Sequence, residues 1–161
     1  MQTITIIQAN LDDPIHQRTV LALVDAYSQD EMGDGGPLSD EARQSLIPAL
    51  RQHPTTMILV AYKDKTPVGI AVCFRGFSTF AARPLLNIHD LSVMPGHRGE
   101  GIGLRLLRAV EEKARELGCC KLTLEVQEKN TRARKTYKAA GFAHSIHSEE
   151  AGPCYFLSKR L

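Results

Sequence analysis

The chain carries little net charge, +2 from 20 Lys and Arg against 18 Asp and Glu. That excludes the strong one-signed field of a protein built to hold nucleic acid or an anionic membrane. No apolar run approaches the ~20 residues of a membrane helix. The first residues, "MQTITIIQANLDD", have no basic start and no long apolar stretch, so no signal peptide is expected. Cysteine is scarce: Cys73, Cys119, Cys120 and Cys154 show no C-x-x-C pair and no zinc-ligand spacing. They are expected as reduced thiols packed in a core, which points to a cytoplasmic protein without a metal site. Tryptophan is absent. The one basic cluster, Lys129, Arg132, Arg134, Lys135 and Lys138, has no stacking aromatic among it except Tyr137. A solvated helix face, not a nucleic-acid patch, is the expectation. Repeats, low-complexity tracts and linkers are also missing, so residues 1–161 read as one domain.

What is present is an ordinary globular composition, 43% hydrophobic and 24% charged. Thr3 to Ala9 reads as a strand. Asp13-Pro14 supplies an N-cap and a first-turn proline for a helix to about Ser28. Ser39 caps a second helix, with Asp40 and Glu41 in the first turn and Pro48 expected to kink it or end it early. Thr56 to Tyr62 and Val68 to Phe74 form a hairpin around "KDKTP". Leu85 to Met94 is the next strand. A long helix follows from Ile102 until Gly118 stops it. Lys121 to Val126 is a strand, and "NTRARKTYKAAGF" is a short helix. "AHSIHS" and "CYFLSK" are expected to close the chain as a last strand pair. The order β-α-α-β-β-β-α-β-α-β-β predicts one α/β domain, with a parallel crossover from Leu85 to Val126.

Two local anomalies carry the functional signal. In "HRGEGIGLRLL", Gly99, Gly101 and Gly103 stand where a helix must start, although glycine costs a helix about 1 kcal/mol relative to alanine. A helix N-terminus offers unpaired N–H groups and a positive dipole end, and glycines let an anion reach them. The loop therefore reads as shaped for phosphate, with a flexible glycine turn as the other reading. A Walker loop is excluded because Leu104 follows Gly103, and the dinucleotide fingerprint is excluded by spacing. In the preceding strand, Leu86 and Ile88 are apolar at even positions, Leu91 and Val93 at odd ones. The alternation slips at His89-Asp90. A bulge there would keep both pairs on one face and aim a polar side chain into a cleft; a strand buried on both faces is the other reading.

Arg98 to Gly103 fits the R/Q-x-x-G-x-G/A signature, and Asn130 onward fits N-x-x-A-x-x-x-Y-x-x-x-G-F. On these two motifs, in the expected order, the chain resembles the GNAT superfamily of N-acetyltransferases. The resemblance implies a single GNAT-like α/β domain: a mixed, mostly antiparallel central sheet with a splayed parallel strand pair, flanked by about four helices. It implies acetyl-CoA as co-substrate. The diphosphate would lie on the amides of Arg98, Gly99, Glu100, Gly101, Ile102, Gly103 and Leu104. The pantetheine arm would run along Leu91, Ser92 and Val93, with Asn130 and Tyr137 also at the cofactor.

The resemblance further implies direct attack of an amine on the thioester. Tyr137 would be the general acid and His89 the base, with Asp90 its rival or a contact for a cationic substrate. Thr19 to Ala42 holds no Lys or Arg but six acids, Asp25, Asp30, Glu31, Asp34, Asp40 and Glu41. An acidic acceptor wall would favour a small cationic amine, with Tyr27 and Glu31 as its contacts. Acetylation of a protein lysine or N-terminus, and acetyl-CoA sensing without turnover, are the alternatives. No nucleic acid or membrane partner is expected, and the resemblance admits a homodimer.

Overall fold

The computed structural model describes residues 3–144, 150 and 154–161. Among them, five strands form one sheet in chain order: β1 (Ile4–Gln8), β2 (Thr56–Lys63), β3 (Thr66–Ser78), β4 (Arg83–Val93) and β5 (Leu122–Leu124). All neighbours are antiparallel except β4 and β5, which run parallel. The helices are α1 (Pro14–Ser28), α2 (Asp40–Gln52), α3 (Ile102–Glu116) and α4 (Thr131–Ala139). This is the mixed, mostly antiparallel sheet with four helices that the motifs lead one to expect.

Local chemistry starts each helix where the sequence indicates. The Asp13 carboxylate accepts from the Ile15 N–H at 2.7 Å, and the Ser39 hydroxyl accepts from Ala42 N–H at 3.1 Å. Gly118 ends α3 with φ +70°, a left-handed residue after the last turn. Pro48 is a correction: α2 does not end early but runs on to Gln52. Ile47 and Leu50, buried on either side of the proline, hold that turn against the sheet, and the packing offsets one missing ladder bond. The first nine elements thus occur in the expected order. Of the last strand pair, most of "AHSIHS" lies outside the described residues. Cys154 to Lys159 is described, and it forms no strand: these residues are exposed and pair with no described neighbour.

The core has two halves, one on each face of the sheet. Met57, Leu59 and Ala61 of β2 point with Leu86 and Ile88 of β4 toward α3, where Ile102, Leu106, Leu107, Val110 and Ala114 are buried. Ile58 and Val60 point the other way, with Ile70 and Val72, toward Val20 and Leu23 of α1 and Ile47 and Leu50 of α2. That explains the unbroken apolar run in β2: both faces are covered. Cys73 is part of this core, and burial pushes its thiol up to about 12, so it is an inert packing group. Leu106 has no solvent exposure. Leu106→Ala is expected to cost about 2–5 kcal/mol, read as a lower urea midpoint at unchanged slope.

Candidate functional site

The phase slip in β4 is a bulge. Cys73 of β3 pairs with Ile88 while its neighbour Val72 pairs with Asp90, so His89 is the extra residue. One inserted residue resets the alternation. Leu86 and Ile88 before it, and Leu91 and Val93 after it, all pack into the α3-side core. The His89 ring turns the opposite way and meets the edge of Phe74, with centroids 5.6 Å apart.

Beyond the bulge the sheet opens. The β4–β5 pairing covers only Leu86↔Leu122, Asn87↔Thr123 and Ile88↔Leu124. The Asn87 side-chain amide crosses to the Thr123 hydroxyl at 3.1 Å, close to the last of these pairs. Strand β4 then continues for five residues to Val93, with no strand beside it on that edge among the described residues. Glu125, Val126 and Gln127 have left the sheet and form the far wall of the gap. A cavity of about 610 Å³ fills it. Its walls bring together Tyr27 and Asp30 from the α1 end, His89 and Leu91 to Val93 from β4, the glycine loop, and Tyr137 from α4.

The glycine loop forms the cavity's polar end. Gly99 and Gly101 have φ +85° and +76°, values that only glycine adopts without strain. The turn they make delivers the chain to the first turn of α3, whose first ladder bond runs from the Arg105 N–H to the Gly101 carbonyl. The six N–H groups from Gly99 to Leu104 donate to no described residue. They are the orphan donors of a helix start, extended backward by a loop. The Arg98 N–H, expected to join them, instead donates to the Pro95 carbonyl at 3.4 Å and is not free. Gly103 lies against the cavity, and a Cβ there would meet only Thr136 Cγ2 at 3.6 Å and Val93 Cγ2 at 3.8 Å, which are ordinary contacts. Such an array suits a diphosphate.

Three expected site residues stand apart from the cavity wall. The Glu100 carboxylate turns away to Lys63 Nζ at 2.7 Å, which holds it below the usual carboxylate range. Its charge is thereby neutralised beside the free amides of the loop. Glu31 is exposed outside the cavity, and its neighbour Asp30 lines the wall instead. Asp90 sits behind the wall. Burial raises its carboxyl, an effect opposed by the nearby His89, and among the described residues it has no hydrogen-bond partner. Asn130 does line the cavity, but its side-chain oxygen caps α4 by accepting from the Ala133 N–H at 3.1 Å.

The acidic stretch is less free than its composition suggests. Asp25 accepts from Arg43 at 2.6 Å and from the Leu38 N–H at 3.0 Å. Asp30 pairs with Arg98, whose Nε also donates to the Val93 carbonyl at 2.9 Å. Arg98 foremost, and then the Met32 N–H, hold the Asp30 carboxyl below its ordinary value against the opposing effect of burial. A depressed carboxyl keeps its stabilising charge above the unfolded pKa and loses it only as pH falls through the folded one. This pair is therefore intact across the neutral range.

Tyr137 and Tyr27 face the cavity from opposite sides of the sheet. Burial pushes the Tyr137 phenol up to about 12, with Tyr27 nearby adding to it. Burial also raises Tyr27, helped by Asp90 and Asp30. Both phenols thus stay protonated at any physiological pH. The Tyr137 ring packs on Phe142 at 5.9 Å, and its hydroxyl bonds to no described residue. Among the described residues no helix is long and apolar enough to cross a membrane.

Comparison with known proteins agrees with this geometry. Residues 20–142 match the profile of the Acetyltransferase (GNAT) family. A thialysine N-epsilon-acetyltransferase of Bos taurus is 35% identical over 88 residues, 55% of this chain and 51% of that protein. A streptothricin acetyltransferase of Streptomyces lavendulae is 44% identical over 70 residues, 44% of this chain and 37% of that one. The aligned segments therefore span about half of these relatives or less. An aminoglycoside N-acetyltransferase solved in complex with CoA superposes with TM-score 0.75 at 19% identity, covering 100% of this chain and 97% of the other. At that identity the likeness is one of fold.

Proposed function

The chain belongs to the GNAT acetyltransferase family, and from that premise we propose that it moves an acetyl group from acetyl-CoA directly onto a primary amine of a small cationic acceptor. The observation that carries this reading is the run of amides from Gly99 to Leu104, which donate to no described residue and of which all but Glu100 belong to residues lining the same cavity as His89 and Tyr137. The diphosphate lies on those amides. The pantetheine arm follows the open edge of β4 at Leu91, Ser92 and Val93 as an added strand would. The thioester would then reach the gap where β5 departs. The whole described chain acts as one catalytic domain.

Each wall group then has a task. An alkylamine with a pKa near ~10.4 is mostly protonated at neutral pH and must lose a proton to attack. His89, set into the cavity by the bulge, accepts it. Asp90, behind the wall and without a hydrogen-bond partner among the described residues, favours a cation in the cleft when it is ionised, a form that burial opposes and the nearby His89 supports. The departing thiolate, with a pKa of roughly 8.5 by analogy with cysteine, receives its proton from Tyr137. Burial keeps this phenol protonated at neutral pH, so its proton is in place when the C–S bond breaks and charge builds on sulfur. No covalent enzyme nucleophile is required, and buried Cys73 offers none. The relatives named for thialysine and streptothricin support an amine acceptor.

Thiol release from acetyl-CoA with a panel of amines tests the proposal. Cationic polyamines, amino sugars and basic amino acids are expected to give kcat/KM at least about tenfold above neutral amines of the same size. Preference for neutral or acidic acceptors would overturn the substrate class. Absence of turnover with every amine, while CoA still binds, would favour a sensor instead.

A further inference from the structure

The segment between α1 and α2 forms the wall that Tyr27, Asp30 and Met32 give to the cavity. Its hydrogen bonds are almost wholly internal. The Asp30 and Gly33 amides donate to Tyr27 and Asp30 carbonyls, and the Asp34 and Gly36 amides donate to the Ser28 carbonyl. The Ser28 hydroxyl donates to the Gly36 carbonyl, the Met32 N–H to Asp30, and the Leu38 N–H to Asp25. Among the described residues, one polar contact of Gln29 to Leu38 leaves this helix–loop–helix unit: Asp30 to Arg98. Arg98 in turn is fixed to the end of β4 through the Val93 carbonyl, and it opens the glycine loop. Both side chains are largely shielded, at 21% and 10% exposure.

We infer that Arg98 is a positioning residue for the amine side of the reaction: through Asp30 it braces the α1–α2 wall against the strand end and loop that hold the acyl donor. The amine side is identified by the acetyltransferase reading above, on which this inference rests. The brace has a clear chemical logic. Arg98 stands at the head of the anion loop, but its guanidinium is neutralised by Asp30, and its side chain points along the wall. The amides of Gly99 to Leu104 bind the anion without it. Asp30, already engaged by a guanidinium, is not the counter-ion of the incoming amine; it shapes the wall that Tyr27 and Met32 present to that amine. The two substrates' walls are thereby tied at one point.

Arg98→Gln is the discriminating variant, since the R/Q-x-x-G-x-G/A motif itself admits glutamine there. It keeps a side-chain amide but cannot pair with a carboxylate as a cation. Amine KM is expected to rise about tenfold in Arg98→Gln and equally in Asp30→Asn, as for loss of one charge-assisted contact. The double variant is expected to be no worse than either. Asp30→Glu should recover part of the loss, and acetyl-CoA KM should change less than about threefold throughout. Hydrogen exchange of the free protein is the second readout: amides of residues 29–38 should exchange faster in both variants, those of α3 unchanged. A fall in amine KM in Arg98→Gln would make Asp30 the amine's counter-ion and overturn the brace. A rise confined to acetyl-CoA KM would make Arg98 an anion ligand and overturn it too. Should the wild-type protein acetylate no amine, the functional reading fails. The exchange data still decide the brace, and unchanged rates in both variants would refute it.

Discussion

Tyr137→Phe is expected to lower kcat about 100-fold, in the range for loss of a general acid, while the dissociation constant for CoA moves less than about twofold. The split follows from how the ring is held. Its apolar body packs on Phe142 and the α3-side core, contacts that phenylalanine keeps. Its hydroxyl bonds to no described residue, so removing it leaves no orphaned partner in the wall. The folded state should therefore be unharmed, with melting temperature within about 2 °C of the parent. What is lost is the proton that the proposed mechanism gives to the departing sulfur. The sign of the pH effect follows from the phenol's pKa, pushed up to about 12 by burial. A raised phenol remains an acid through the range in which amines deprotonate. The parent's kcat/KM for the amine should rise with pH and show no alkaline fall below about pH 10. An unchanged kcat in the variant would reduce Tyr137 to a packing residue.

Gly103→Ala separates stability from binding by giving them opposite signs. Gly103 is in the first turn of α3, and alanine there meets only ordinary contacts with Thr136 and Val93. A helical glycine replaced by alanine gains roughly 0.5–1 kcal/mol, so the thermal midpoint should rise. The new methyl group, however, is added to the cavity lining beside Thr136 and Val93, next to amides that donate to no described residue. It keeps an anion from closing on them, and CoA affinity is expected to fall at least about tenfold, or ~1.4 kcal/mol. Gly101→Ala is the contrast. At φ +76° an alanine costs about 1–2 kcal/mol of backbone strain, so stability and binding fall together. Calorimetry with CoA and thermal melts read both variants. A more stable Gly103→Ala protein with unaltered CoA binding would remove the diphosphate from the head of α3.

Much of the candidate site was legible before any coordinates, because its signals are local. Three glycines at a helix start announce a backbone that must be approached. A slip in apolar alternation announces one extra residue, and the register places it at His89. Asp13, Ser39 and Gly118 mark helix ends by chemistry that acts within three residues. Asp30 was less legible. It stands in an acidic stretch beside Glu31, the residue expected to contact the amine, and no local signal marks Asp30 instead. The turn after α1 brings Asp30 to Arg98, 68 positions away, and leaves Glu31 in solvent.

The sequence by itself determined the order of elements through α4, the helix caps, the phase slip at His89-Asp90 and the glycine bend before α3. Each depends on backbone conformation and side-chain period over a few neighbouring residues. Only the tertiary structure decided that α2 continues through Pro48, that β5 parts from β4 after three pairs, and that Glu100 pairs with Lys63 and Asp30 with Arg98. Those outcomes depend on burial against distant elements and on which charge meets which. Such pairings form only when the chain has folded, since a neutralising partner offsets the cost of shielding a carboxylate from water wherever in the sequence it comes from.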